Sequence, residues 1–247
     1  MKIFVISLKS STKRRKSVQS QMEKFDLKFE FFNARNIMEI TNIDKQLATK
    51  KFGRELSNTE FACALSHNLL YKKIIDEKIT DVIILEDDCI LTNKLNNFIN
   101  MEDKSDFVLL YHYRCFVDKK INSFRGIDFH SVQFMPFAAV GYYLNQKSAK
   151  ILYNANNPIS SVADYPIALN EIVNVSAVNP RIIQHPKLEQ QTTQTNRKKS
   201  LLWNRLRMLL FIGYINNRQA YGSLSGYIKR TYLCWIYKCI SPKVEGK

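Results

Sequence analysis

Apolar positions along the chain switch repeatedly between compact runs and a three-to-four-residue spacing. Lys2 to Leu8 is a run with strand character. Val18, Met22 and Phe25 then recur at four and three residues, which predicts a helix that Thr12 can cap. Lys28 to Phe32 predicts a second strand, residues 33–36 a loop, and Ile43 to Phe52 a helix. Ser57-Asn58-Thr59-Glu60 is a capping box, Ser at N-cap and Glu at N3, and Phe61, Ala64, Leu65 and Leu69 follow on one helical face toward Glu77. Val82-Ile83-Ile84-Leu85 is a mostly β-branched run, as in a strand buried on both faces of a parallel sheet. A short helix at Leu95 to Ile99, a strand at Asp106 to Tyr113 and a mixed-charge loop over 115–130 come next. Phe137 to Leu144 is strand-like with a bend at Gly141, and Asn145 starts a helix carrying Ala149, Ile151 and Leu152. A second short helix follows residues 162–166, then a strand at Ile172 to Val178, a turn at Asn179-Pro180 and an extended Arg181 to His185. Strands alternating with helices over ~190 residues predict an α/β domain with a mostly parallel sheet.

The 247 residues fit one large or two small domains. With 45% hydrophobic and 24% charged residues the composition is globular, and no stretch is long and clean enough for a transmembrane helix or a signal-peptide core. Five dispersed cysteines without CxxC spacing point to reduced thiols in a cytoplasmic protein, not to a disulfide framework or a zinc site. The net charge of +15 is uneven. Residues 197–247 carry 11 Lys/Arg against Glu245 alone, so +10 falls in the last fifth of the chain. The polar, aperiodic stretch Gln190 to Asn196 therefore marks a boundary between a domain over 1–196 and a basic helical segment over 197–247.

Two clusters carry candidate chemistry. The strand at Val82 to Leu85 ends in three carboxylates, Glu86, Asp87 and Asp88. Adjacent acids repel one another, so they call for a compensating cation, and the ends of strands in open α/β sheets are where ligands bind. A divalent metal facing an anionic substrate and a solvated acidic turn are both compatible with these residues. The second cluster is Lys13-Arg14-Arg15-Lys16 in the first turn of the first helix, where the helix dipole disfavours cations. A phosphate held by the helix amides and by Arg14 and Arg15 accounts for it, as does a basic solvated face. Glu60 already has a capping task, and His67 alone on its helix suits packing as well as ligation.

In order along residues 3–190, these pieces resemble glycosyltransferase family 25. Val5-Ile6-Ser7-Leu8 with Thr12-Lys13-Arg14-Arg15 is similar to the family's "VINL…RR", and Phe31-Phe32-Asn33-Ala34 to its "FFDA". LSNTEFACALSH, Leu56 to His67, is close to "LTxGExxCxxSH", and LEDDCIL is close to "LEDDVxL". Gly141-Tyr142 resembles the end of "GTAGY", Asp164 falls at the family's "PVD", and Asn179-Pro180 at its next "NP". The resemblance implies a GT-A-like nucleotide-sugar fold, a Mn²⁺ or Mg²⁺ ion and a UDP-sugar donor. Asp88 and Glu86 would hold the metal with His185 as a third ligand. Ser7, Leu8, Arg14, Arg15, Ser66, His67, Glu86 and Asp87 would surround the donor. The family inverts at the anomeric carbon, so a carboxylate base is needed for the acceptor hydroxyl; Asp164 is the expectation, and a second-sphere place around the metal is its alternative role. Tyr111 and His112, with Tyr113, leave a neighbouring strand where aromatic faces suit a pyranose ring. Departures at Ala138-Ala139-Val140, Val162-Ala163 and the Tyr-His-Tyr stretch leave galactose and glucose both open as the transferred sugar.

The basic segment interleaves Trp203, Phe211, Tyr214, Tyr221, Tyr227, Tyr232, Trp235 and Tyr237 with arginines and lysines. That pattern suits an anionic inner-membrane surface, reached from the cytoplasmic face, where a lipid-linked oligosaccharide acceptor is assembled. Docking on the catalytic domain explains part of the same apolar content. A nucleic-acid binder would want a similar tail, but no nucleic-acid module is present and the charge is segregated from the acids. A metal-dependent phosphodiesterase or nuclease, or a non-catalytic membrane adaptor, are the other classes compatible with parts of the pattern.

Overall fold

In the computed structural model, residues 1–40, 56–112, 115–136, 138–163, 165, 169–186 and 239–240 are described. Five of the six residues of β1 (Lys2–Ser7) are buried, and α1 (Thr12–Lys24) follows with Val18 and Met22 against the sheet. Ser11, not Thr12, is the N-cap, and it makes no side-chain cap bond. Next come β2 (Glu30–Asn33) and α2 (Asn58–Asp76), whose start is the expected capping box, Ser57 accepting from the Glu60 amide while Glu60 reaches back to the Ser57 amide. The chain continues through β3 (Asp81–Glu86), β4 (Ile90–Leu91), α3 (Lys94–Ile99), β5 (Phe107–Leu109), β6 (Cys115–Phe124), β7 (Ile127–Phe134) and β8 (Gly141–Asn145). It ends with α4 (Gln146–Ala155), where Asn145 caps the Ser148 amide, then β9 (Val175–Asn179), β10 (Ile183–Gln184) and β11 (Cys239–Ile240).

Nine strands form one sheet in the order β11-β6-β7-β9-β5-β8-β3-β1-β2. In its central part β2, β1, β3, β5 and β9 run one way and β8 alone runs against them. Alternation along the strands sorts the core. Phe4, Ile6, Val82 and Ile84 face Leu70, Tyr71 and Ile74 of α2 and Ala149 and Leu152 of α4. Ile3, Val5, Ile83 and Leu85 face Val18 and Met22 of α1 and Leu95 and Phe98 of α3. Helices thus cover both faces, which is why Val82 to Leu85 reads as an unbroken apolar run. Each such side chain contributes ~1.5–3 kcal/mol of burial.

Three expectations shift. Residues 115–130 are not a loop but most of the antiparallel β6–β7 hairpin, turned at Arg125 and Gly126, both with positive φ. Irregular register between Phe116 and Asn122 breaks the period-two pattern, and lysines occupy the outer positions, so composition alone suggests a loop. The expected strand over Asp106 to Tyr113 stops at Leu109 because the amides of Leu110 and Tyr111 both turn to the Gly141 carbonyl. The buried stripe of α2 runs through Phe61, Ala64, His67, Asn68, Tyr71 and Ile74, with Leu65 and Leu69 at its margin. The expected helix around Ile43 to Phe52 and nearly all of the basic segment over 197–247 lie outside the described residues. No helix among the described residues is long and apolar enough to cross a membrane.

Candidate functional site

Parallel pairing of β1 with β3 sets Ile6 opposite Glu86, so both strands deliver their carboxyl ends to one edge. Ser7 emerges there and donates from Oγ to Asp87 Oδ2 at 2.7 Å. Arg14, one turn into α1, donates from Nη1 to Asp87 Oδ1 at 2.8 Å and to Asp88 Oδ2 at 3.4 Å. The Asp87 side chain is only 10% exposed, so this contact supplies the cation that adjacent acids require. Burial opposes the charge on Arg14, yet the hydrogen bond and charge of Asp87, with Asp88 and Glu86, raise its pKa above the ordinary guanidinium value. The cation in the first turn of α1 is therefore explained first by the neighbouring carboxylates. Arg15 has another task. Its guanidinium donates to the Ser7 and Leu8 carbonyls at 2.9 and 3.1 Å and to Asn33 Oδ1 at 2.7 Å, over the Phe31 ring. It ties the ends of β1 and β2 together from behind.

Glu86 turns toward α2. Its Oε1 lies 3.3 Å from His67 Nε2 and accepts from Cys63 Sγ at 3.8 Å. Behind it, His67 Nδ1 is 2.7 Å from the Tyr142 hydroxyl, itself 2.7 Å from the Tyr71 hydroxyl. All three rings are buried, and burial raises the pKa of both phenols. Asp88 turns the other way: its Oδ2 is 3.3 Å from His185 Nε2, while Oδ1 is buried and meets no donor among the described residues. Burial works to raise the Asp88 pKa, but the hydrogen bond and charge of His185, with Arg14, pull it below the ordinary carboxylate value. Burial likewise works to lower the His185 pKa, and Asp88 outweighs it, leaving the imidazole above its ordinary value. His185 Nδ1 lies 3.0 Å from the Pro186 carbonyl, so as the donor there it leaves Nε2 for Asp88 or a ligand.

Ser7, Arg14, Glu86, Asp87, Asp88 and His185 line a cavity of about 680 Å³ together with Ser10, Arg35, Asn36 and Cys63. Ser66 also lines it and fastens one wall, accepting from the Arg35 amide at 2.9 Å and donating to the Ala62 carbonyl at 2.6 Å. A second cavity of about 580 Å³ adjoins it beyond Leu8 and Asn33. Of the residues singled out in the sequence, Ser7, Leu8, Arg14, Ser66, Glu86, Asp87, Asp88 and His185 meet in the larger cavity. Arg15 and His67 stand behind its walls. Tyr111 stacks at a tilt 5.9 Å from His185 and under Arg181, outside the lining. His112 is buried against the Val178 carbonyl at 2.9 Å, so it packs on β9 and lines neither cavity. Asp164 and Tyr113 lie outside the described residues. Cys63 and Tyr142 enter the sequence reading only within matched motifs, with no site role, although the four-residue step from Cys63 to His67 places these two on one helical face.

The family model described as glycosyltransferase family 25 (LPS biosynthesis protein) matches residues 1–168. The chain is 26% identical over 162 residues to the lipooligosaccharide biosynthesis protein lic2B of Haemophilus influenzae, covering 60% of this chain and 61% of that protein. It is 27% identical over 240 residues to the Haemophilus influenzae lipooligosaccharide biosynthesis protein lex-1, covering 81% of this chain and 79% of the relative. Over 103 residues it is 30% identical to the lacto-N-neotetraose biosynthesis glycosyltransferase LgtB of Neisseria meningitidis, covering 40% of this chain and 37% of that protein.

Proposed function

The chain belongs to glycosyltransferase family 25, and from that membership we propose an inverting transfer of a hexose, galactose before glucose, from a UDP-sugar to a lipooligosaccharide core acceptor. The names of the Haemophilus and Neisseria relatives support the acceptor class. A GT-A-like arrangement agrees with the carboxyl ends of β1 and β3 meeting under one cavity. The observation that carries the proposal is Asp88, with one buried oxygen that meets no donor among the described residues and the other beside His185 Nε2. An oxygen without a partner next to an imidazole nitrogen suits a divalent cation. Asp88 and His185 would hold Mn²⁺ or Mg²⁺, with Glu86 further back because its carboxylate is engaged by α2. Such an ion supplies positive charge against the departing diphosphate.

The chain's own groups then divide the work. Ser7 and Arg14 hold Asp87, and so fix the acidic turn, while the Arg14 side chain, 40% exposed, stays available to an anionic donor. Arg35 adds a second cation to the lining. Asp164, on sequence resemblance, takes the proton from the acceptor hydroxyl as the glycosidic bond forms. Peripheral contact of residues 197–247 with the inner membrane belongs to the same proposal, supported by their charge and aromatic content.

Thermal unfolding with UDP-galactose or UDP-glucose, with and without Mn²⁺, tests it, followed by mass spectrometry of truncated lipooligosaccharide acceptors. We expect metal-dependent stabilisation by at least one donor, lost in Asp88→Asn, and transfer lost in Asp164→Asn with donor binding kept. Failure of both donors in the presence of metal overturns the proposal.

A further inference from the structure

Cys63, His67 and Glu86 form a cluster of mixed sulfur, nitrogen and oxygen donors beside the acidic turn. Their ligand atoms, Sγ, Nε2 and a carboxylate oxygen, all lie within 4.8 Å of one another. Two come from one face of α2, a turn apart, and the third from the end of β3. A tetrahedral zinc ion with ordinary bond lengths sets nitrogen and oxygen ligands ~3.4 Å apart and sulfur and oxygen ligands ~3.6 Å apart. The corresponding separations here are 3.3 Å and 3.8 Å, each within a few tenths of an ångström of those values. Cys63 Sγ and His67 Nε2 lie within 4.8 Å of one another, so closing all three onto one ion takes a side-chain movement of ~1 Å at most.

We propose that Cys63, His67 and Glu86 bind a zinc-class divalent cation with three protein ligands and a fourth position open to the cavity. The donor set selects the ion: thiolate and imidazole favour Zn²⁺, whereas Mg²⁺ prefers oxygen. This separates the site chemically from Asp88 and His185. Access is built in, because Cys63 and Glu86 both line the 680 Å³ cavity.

The shell behind the site is also suitable. Ligation through Nε2 requires the His67 proton on Nδ1, donated to the Tyr142 hydroxyl, which can then donate to Tyr71. Without metal the chain of hydroxyls reverses, so that Tyr142 donates to Nδ1 and Nε2–H points at Glu86. Both states satisfy the buried imidazole, so metal binding does not strand it. Binding converts the Cys63 thiol to a thiolate, and its proton leaves to solvent. An ion here holds Glu86 against α2 and adds positive charge to one wall of the donor cavity.

The test is titration of the metal-free full chain with Co²⁺, a spectroscopic stand-in for Zn²⁺, without any nucleotide sugar. We expect one equivalent to produce a thiolate-to-cobalt charge-transfer band with tetrahedral d–d absorption, erased by Zn²⁺ but not by excess Mg²⁺. Cys63→Ser, a near-isosteric change at a half-buried side chain, should remove the charge-transfer band while the unfolding transition is kept. Cys89→Ser and His185→Gln should retain it. Absence of the band in the native chain, its survival in Cys63→Ser, or its loss in His185→Gln overturns the assignment. None of these readouts depends on sugar transfer, so the two proposals fail separately.

Discussion

Replacing Tyr142 by Phe deletes one oxygen from the middle of a buried chain. The Tyr142 ring is fully buried, stacked 5.2 Å from Phe107, and phenylalanine preserves that packing, so the cavity contribution is small. The loss is polar. Tyr71 Oη and His67 Nδ1 each have the Tyr142 hydroxyl at 2.7 Å and would both lose it. A buried polar atom left without its partner costs ~1–3 kcal/mol, so two predict a loss of about 3 kcal/mol after allowing for the hydroxyl no longer desolvated. Tyr71→Phe leaves the Tyr142–His67 bond intact and should cost about 1–2 kcal/mol. In the double variant only His67 Nδ1 is stranded, at about 1.5 kcal/mol, so its cost should fall short of the sum of the singles by about 3 kcal/mol. Urea unfolding of the four proteins at neutral pH, with a shared slope, measures all three quantities. Losses that add within ~0.5 kcal/mol, or a Tyr142→Phe loss below that figure, would show that the three groups do not act as one network.

Two further outcomes follow from the packing. His112 is pushed down to about 4, chiefly by burial, while its Nε2–H donates to the Val178 carbonyl and Nδ1 meets no donor among the described residues. A folded-state pKa below the unfolded value means that stability is complete above about 6.5 and is lost as pH falls toward 4; this group's share is roughly 3 kcal/mol. Denaturant unfolding between pH 7 and 4 should show that slope, and His112→Gln should flatten it; parallel profiles would refute a neutral buried imidazole. Gly141→Ala would bring a Cβ to 3.0 Å from Ile183 and 3.1 Å from Leu85, both fully buried. Such overpacking costs ~1–3 kcal/mol, readable as a lower Tm, whereas an unchanged Tm would mean that β10 yields freely.

Where local physics decides, the sequence is legible. The Ser57–Glu60 box starts α2 at the expected place, Asn145 caps α4, and the doubly buried run of β3 delivers three acids to the end of the strand. Of the eight singled-out residues that share one cavity, Ser7, Leu8, Glu86, Asp87 and Asp88 meet because β1 and β3 pair in parallel. What was not legible depends on distant partners. The role of Arg14 requires knowing that Asp87 lies opposite, and Glu86 turns away from Asp88 and His185 because Cys63 and His67 stand across the sheet edge. His112 and Tyr111 looked alike as polar aromatics leaving a strand, but the turn of Leu110 and Tyr111 onto the Gly141 carbonyl redirects both. The β6–β7 hairpin was hidden by register shifts that break its alternation.

The stitching of the acidic turn has a consequence for how the chain folds. Ser7 and Asp87 are 80 residues apart, and Arg14 and Asp87 73 apart, so the cradle of Asp87 needs only the first third or so of the chain. Asp88 is completed by His185, which is synthesised much later. During synthesis, therefore, a β1–β3 nucleus can close with Arg14 as its sole counter-charge, leaving the acidic turn half neutralised until β10 docks beside β4. The second counter-charge of the acidic turn is then acquired in a late step, and nascent chains released before His185 would hold the β1–β3 nucleus with Asp88 still awaiting its imidazole partner.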